Sequence, residues 1–196
     1  NNGNLIASSS IRSKKLFFNQ ELQEEISNLE KILSKGEFDE VKTNLGNSNL
    51  GTGITIIFYG SSGTGKTEAV YQIAKKTNRD IMMVDLSTTK SKWFGESQKK
   101  VKQIFTDYKM ILRNSKIEPI LFVNEVDGFL SKRLNLSESS SSVDHTVNTI
   151  QNIILQELEN FEGILIATSN LTENLDKAFE RRFLFKMNFP LPDKTC

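Results

Sequence analysis

The sequence predicts an α/β fold, a three-layer α/β/α sandwich around a five-stranded parallel sheet. Two observations carry this expectation. Short, mostly apolar runs recur at 54–59 (ITIIFY), 81–86 (IMMVDL), 119–123 (PILFV), 163–168 (GILIAT) and 183–189 (FLFKMNF). Strands that read as near-continuous apolar runs are those buried on both faces, as in parallel sheets. Helical segments separate them, at 66–77, 96–114, 147–161 and, more briefly, near 174–180. Such alternation implies right-handed crossovers, with helices on both faces of the sheet. In the first helix Val70, Ile73 and Ala74 share one face. In the second, Val101, Ile104, Phe105, Tyr108, Ile111 and Leu112 point inward.

Before the first strand, residues 1–15 are polar and Ser-rich and read as a loose lead-in. Leu22, Ile26, Leu29, Ile32 and Leu33 fall at helical spacing, Gly36 reads as a helix stop, and 43–53 is turn-rich. The expected division is 1–50, a lead-in with one amphipathic helix, and 51–193, the α/β unit. The Ser-rich stretch 131–144 reads as a loop.

Composition narrows the classes. The chain has 196 residues, 37% hydrophobic and 25% charged, enough for one domain with a sizeable core. A formal net charge of +1 predicts no nucleic-acid or anionic-membrane partner. No apolar run approaches the roughly 18 residues of a membrane span. The N-terminal NNGNLIASSSIRSKK lacks the basic-then-apolar pattern of a signal peptide. The single cysteine, Cys196, can form no internal disulfide, which fits a reducing compartment. The expectation is a cytoplasmic protein. The single histidine, His145, sits in a polar stretch and reads as a surface residue.

Residues 60–67, GSSGTGKT, fit the pattern G-x-x-x-x-G-K-S/T directly between a strand and a helix. Gly60, Gly63 and Gly65 let the backbone take left-handed angles and approach phosphates closely. Successive N–H groups then form an anion nest at the positive end of the following helix. Lys66 adds a full charge at the β and γ phosphates, and Thr67 offers a hydroxyl to Mg²⁺. The candidate nucleotide-binding set is Gly60, Ser61, Ser62, Gly63, Thr64, Gly65, Lys66, Thr67 and Glu68. No N-K-x-D stretch of the kind that reads guanine occurs.

Further segments widen the pattern: SKWFGES (91–97), ILFVNEVD (120–127), IATSN (166–170) and LDKAFERRFLFKMNFPLPD (175–193). Together with the phosphate loop they resemble the AAA family of ATPases, P-loop proteins of the AAA+ class, from about residue 54 to 193. They are most similar to the meiotic clade with katanin and spastin, and to bacterial AAA proteins with Asn before the Glu. The resemblance implies the large AAA+ subdomain, with ATP and Mg²⁺ as cofactors. It implies that Glu125 polarises the attacking water, that Asn170 is the sensor between γ-phosphate and water, and that Lys66 assists at the phosphates. Arg181 and Arg182 match paired fingers that reach the ATP of a neighbouring subunit, where an arginine can be worth several powers of ten in rate. Lys92, Trp93, Phe94 and Gly95 match a first pore loop that grips a threaded polypeptide, and 131–146 stands in the place of a second. The implied partners are a protein substrate and other copies of the chain in a hexameric ring.

Three departures qualify the match. Asn124 stands where the family has an Asp that helps hold Mg²⁺; the amide keeps an acceptor oxygen but loses the charge. Ser61 and Ser62 replace a common proline pair and are expected to point away from the nest. FPLPDKTC ends where a helical lid is expected to begin, so the chain reads as the large subdomain of a longer protein. The leading expectation is ATP hydrolysis driving the remodelling of proteins through a ring pore, slow in this fragment. The alternatives are a nucleotide-gated assembly switch, favoured by Asn124, a DNA loader, disfavoured by the near-neutral charge, and a small-molecule kinase, which leaves SKWFGES and the arginine pair without a role.

Overall fold

The computed structural model describes residues 4–47, 53–85, 97–127, 142–171 and 176–191. Six strands form one sheet: β1 (Asn4–Ile6), β2 (Ile54–Tyr59), β3 (Ile81–Asp85), β4 (Ile120–Asn124), β5 (Ile164–Ser169) and β6 (Phe185–Asn188). Their order is β1-β3-β4-β5-β2-β6. The five strands expected from the apolar runs are parallel to one another, in register pairs such as Ile56↔Ile166 and Val84↔Val123. The sixth is a correction. β1 lies in the segment expected to be a loose lead-in and pairs antiparallel with β3, Leu5 opposite Met82. Ser8 reinforces it, donating its backbone N–H to Asp80 at 2.9 Å.

The helices are α1 (Gln20–Ile32), α2 (Lys35–Asn47), α3 (Lys66–Lys76), α4 (Ser97–Asn114), α5 (Ser142–Glu159) and α6 (Lys177–Glu180). Two expectations are corrected here. The lead-in holds two helices rather than one, because Gly36 does not end the helical stretch. α1 closes at Leu33, whose N–H donates to Leu29 O at 2.9 Å, and a new helix starts one residue before the glycine. Phe38 anchors that second helix: it is 1% exposed, with the Arg79 guanidinium 4.5 Å from its ring centre. α5 begins at Ser142 rather than at 147, taking in the end of the stretch expected to be a loop.

Strand pleating divides the core in two. Ile54, Ile56 and Phe58 of β2 join Ile120, Phe122, Ile164 and Ile166 against α1, α2 and α3. Ile57, Leu121, Leu165 and Ala167 join Val101, Phe105, Tyr108 and Ile153 of α4 and α5 on the other face. Each fully buried side chain of this kind contributes about 1.5–3 kcal/mol. The expected inward faces of α1, α3 and α4 all pack in this way.

Tyr108 ties α4 to the sheet. Its hydroxyl accepts from the Ile164 N–H at 2.9 Å and donates to Pro119 O at 2.7 Å. Burial holds this phenol well above its usual ionisation range. Gly163, at φ +96°, leaves room for it, since a Cβ there would lie 2.4 Å from the hydroxyl oxygen. Gly163→Ala is therefore expected to lower stability by about 2–4 kcal/mol, from positive φ and overpacking together. Urea denaturation measures it, and a change below the error of the method would contradict this packing.

Candidate functional site: a phosphate loop facing an Asn–Glu turn

β4, β5 and β2 lie side by side, and their C-terminal ends carry the candidate residues. The crevice beyond the strand ends is where open α/β sheets bind ligands. β2 runs into the loop 60–65 and then into α3. Gly60, Gly63 and Gly65 take φ of +143°, +80° and +90°. A Cβ on Gly60 would sit 2.2 Å from Phe189 O, so the close approach of the chain just after β6 also demands glycine there. Gly65 caps α3 with no side-chain hydrogen bond, leaving the first-turn N–H groups to an external acceptor.

Lys66 is 6% exposed, and its ammonium donates to Gly60 O and Ser61 O, both at 2.7 Å. Burial lowers its proton affinity, while the carboxylates of Asp127 and Glu125 raise it in part. Thr64 closes the loop by donating its hydroxyl to Ser61 O at 2.9 Å. Ser62 is exposed and Ser61 half-buried. Glu68 is engaged elsewhere: its carboxylate takes Lys14 Nζ at 2.7 Å and Gln72 Nε2 at 2.9 Å. Burial pushes its carboxyl up, but the hydrogen bonds from Lys14 and Gln72, with the Lys14 charge, bring it net below the ordinary range. Its backbone N–H, in the first turn of α3, is what remains for a ligand.

Opposite the loop, β4 ends in Asn124 and Glu125. Thr67 donates its hydroxyl to Asn124 Oδ1 at 3.2 Å. Glu125 is exposed and held at φ +54°, a left-handed angle uncommon for a residue with a side chain. Thr168 of β5 braces this turn, its hydroxyl donating to Asn124 Oδ1 at 2.8 Å and accepting from the Glu125 N–H at 3.1 Å. The Val126 N–H donates to Thr168 O at 3.0 Å. Asp127 Oδ1 accepts from the Ser169 hydroxyl at 2.6 Å and from the Asn170 N–H at 2.8 Å, fixing the backbone where β5 ends and Asn170 begins. Thr168 and Asp127 were not singled out from sequence. Both lie inside segments that carry the resemblance, Asp127 in ILFVNEVD and Thr168 in IATSN, but no local feature marks either as a brace for the turn.

Arg181 caps the C-terminus of α6 and is exposed. Arg182 is half-buried and pairs with Glu159 of α5 at 3.5 Å. Its Nε is buried without a hydrogen-bond partner among the described residues. Lys92, Trp93, Phe94 and Gly95 lie outside the described residues, as does most of the stretch matched to a second pore loop. Among the described residues no three His, Cys, Asp or Glu side chains gather into a metal cluster. The Thr67 hydroxyl and Asn124 Oδ1 are hard oxygens, and such oxygens beside phosphates suit Mg²⁺. No described helix is long and apolar enough to cross a membrane.

A mostly parallel sheet with a glycine-lined phosphate loop after one strand, and an Asn–Glu turn two strands across with a single strand between them, defines a P-loop nucleoside-triphosphatase domain. The family model described as "ATPase family associated with various cellular activities (AAA)" matches residues 56–191, more than half of the chain. The chain belongs to this family, and what it holds is the family's nucleotide-binding ATPase domain. Cell division protein C of Sulfolobus acidocaldarius is 30% identical over 145 residues, covering 70% of this chain and 37% of that protein. The proteasome-activating nucleotidase of Methanothermobacter thermautotrophicus is 32% identical over 145 residues, 71% of this chain and 33% of its own length. Vacuolar protein sorting-associated protein 4 of Dictyostelium discoideum is 32% identical over 140 residues, 70% and 30% respectively. The chain thus spans about a third of the length of these curated relatives.

Proposed function

We propose that this chain is the ATP-hydrolysing part of a ring-forming machine that remodels protein substrates, with Asn124 a tolerated replacement at the metal side of the site. The observation that supports it best is the convergence of Lys66, Thr67, Asn124 and Glu125 at the same end of the sheet, with Thr67 on Asn124 Oδ1 and with Glu125 exposed and its backbone braced. Gly60 to Thr67 hold the triphosphate through N–H groups and the Lys66 charge. Thr67, with Asn124 through water, would hold Mg²⁺, which when bound would offset phosphate charge. Glu125 takes a proton from the attacking water, and Asn170 orients that water against the γ-phosphate. Arg181, and Arg182 once released from Glu159, serve the ATP of a neighbouring copy.

Protein remodelling rests on two supports: the likeness of SKWFGES to a pore loop, and relatives whose names place them with the proteasome and with vacuolar sorting. A second reading, a switch that binds ATP with negligible hydrolysis, is favoured by the missing charge at Asn124. The two separate in a mixing experiment with full-length protein. Glu125→Gln and Arg181→Ala are each expected to be inactive alone. Mixed, they regain turnover, because an Arg181→Ala subunit keeps its own Glu125 and borrows Arg181 from its partner. No recovery at any ratio, with both variants folded and binding ATP, contradicts action between subunits.

A further inference from the structure

We infer that Thr168 is a positioning residue for hydrolysis, and that its hydroxyl is what makes an amide workable at position 124. The inference rests on the reading of Thr67 and Asn124 as the metal side of the site. Thr168 is 2% exposed, on the strand between the phosphate-loop strand and β4. A hydroxyl has one proton and two lone pairs. One lone pair takes the Glu125 N–H at 3.1 Å, and the proton goes to Asn124 Oδ1 at 2.8 Å.

Only an oxygen can accept that proton. With both hydroxyls donating to it, Oδ1 faces Thr168 and Thr67 and the NH₂ is turned aside; a flipped amide could reach Thr168 only through its remaining lone pair, leaving both hydroxyl protons without this acceptor. An aspartate presents an oxygen whichever way its carboxylate rotates. An asparagine presents one in a single orientation, and in the other it turns two N–H donors toward the Thr67 hydroxyl and the place of a cation. Thr168 thus supplies a selection that an aspartate does not need. The same residue sets the base, since its hydroxyl and carbonyl take the N–H groups of Glu125 and Val126.

The test is a double-mutant cycle in the full-length protein. The readouts are the Mg²⁺ concentration that half-saturates binding of a fluorescent N-methylanthraniloyl ATP, and, separately, turnover. Thr168→Val keeps the shape and removes the hydroxyl; it is expected to raise the Mg²⁺ midpoint about tenfold, the worth of roughly one hydrogen bond. Thr168→Ser is expected to restore it to within about twofold. In an Asn124→Asp background Thr168→Val is expected to shift the midpoint by no more than about twofold, because no wrong orientation is left to populate. Thr168→Cys, similar in volume with a weaker donor, replaces the valine variant if melting shows that variant unfolded, and the same pattern is expected of it. An equal shift in both backgrounds, or none in either, overturns the inference. Glu125→Gln run in parallel separates the two failures. Turnover lost there without coupling between 168 and 124 sinks the Thr168 role alone, whereas turnover retained there sinks the site assignment and this role with it.

Discussion

Lys66→Ala in the full-length protein is expected to lose ATP affinity by about a hundredfold or more, and with it all measurable turnover. Charge-assisted hydrogen bonds contribute about 1.5–3 kcal/mol each, and two of them to phosphate oxygens account for a loss of that size. The ammonium is already desolvated at 6% exposure and already holds two acceptors, Gly60 O and Ser61 O. Phosphate oxygens exchange for those carbonyls without a new cost of burial. The Asp127 and Glu125 carboxylates help keep the group protonated against burial. Lys66→Arg keeps the charge but not the compact tip, and a buried loop that accommodates an ammonium leaves little room for a planar fork. Calorimetric titration with ATP, beside thermal melting to confirm folding, checks both variants. An affinity within about threefold of the parent for a folded Lys66→Ala contradicts a phosphate role for this loop.

Glu125→Gln has the opposite signature: ATP binds as before, and turnover falls by about 10²–10⁴, the usual contribution of a positioned general base. Glutamine preserves the shape and the exposed placement but cannot take a proton from water. The backbone at φ +54° is held by N–H donation to Thr168, which the substitution does not touch. Thus binding and stability are expected to stay while the chemical step stops. Single-turnover kinetics with bound ATP distinguish this from slow product release. A loss smaller than about tenfold places the base elsewhere. Asp127 is then an unpromising substitute, since its Oδ1 already takes the Ser169 hydroxyl and the Asn170 N–H.

The two variants draw on parts of the site that were not equally legible. The phosphate loop was readable because its glycines, lysine and threonine are contiguous and each has a local physical reason. The five parallel strands were readable because burial on both faces leaves near-continuous apolar runs. β1 was not, because three residues show no periodicity and its pairing is set by the exposed edge of β3. α2 was hidden by Gly36, which usually ends a helix; here packing of Phe38 against Arg79 outweighs the weak propensity of KGEFDEVKTNLGN. The brace on the Asn–Glu turn was the hardest to read. Thr168 and Asp127 act across 43 or 44 residues of chain, through hydrogen bonds that exist only once β5 lies beside β4. The amide at 124, which from sequence alone looks like a loss of charge, gains a defined orientation from that neighbour.

The most direct test of the account is Mg²⁺-dependent ATP turnover per subunit of the full-length protein, measured against protein concentration with Glu125→Gln as the control. Specific activity is expected to rise with concentration to a plateau and to vanish in the control, as the proposed action of Arg181 on a neighbour's nucleotide requires. Activity equal to the control at every concentration, with ATP still bound, contradicts it and leaves a nucleotide-holding switch in its place.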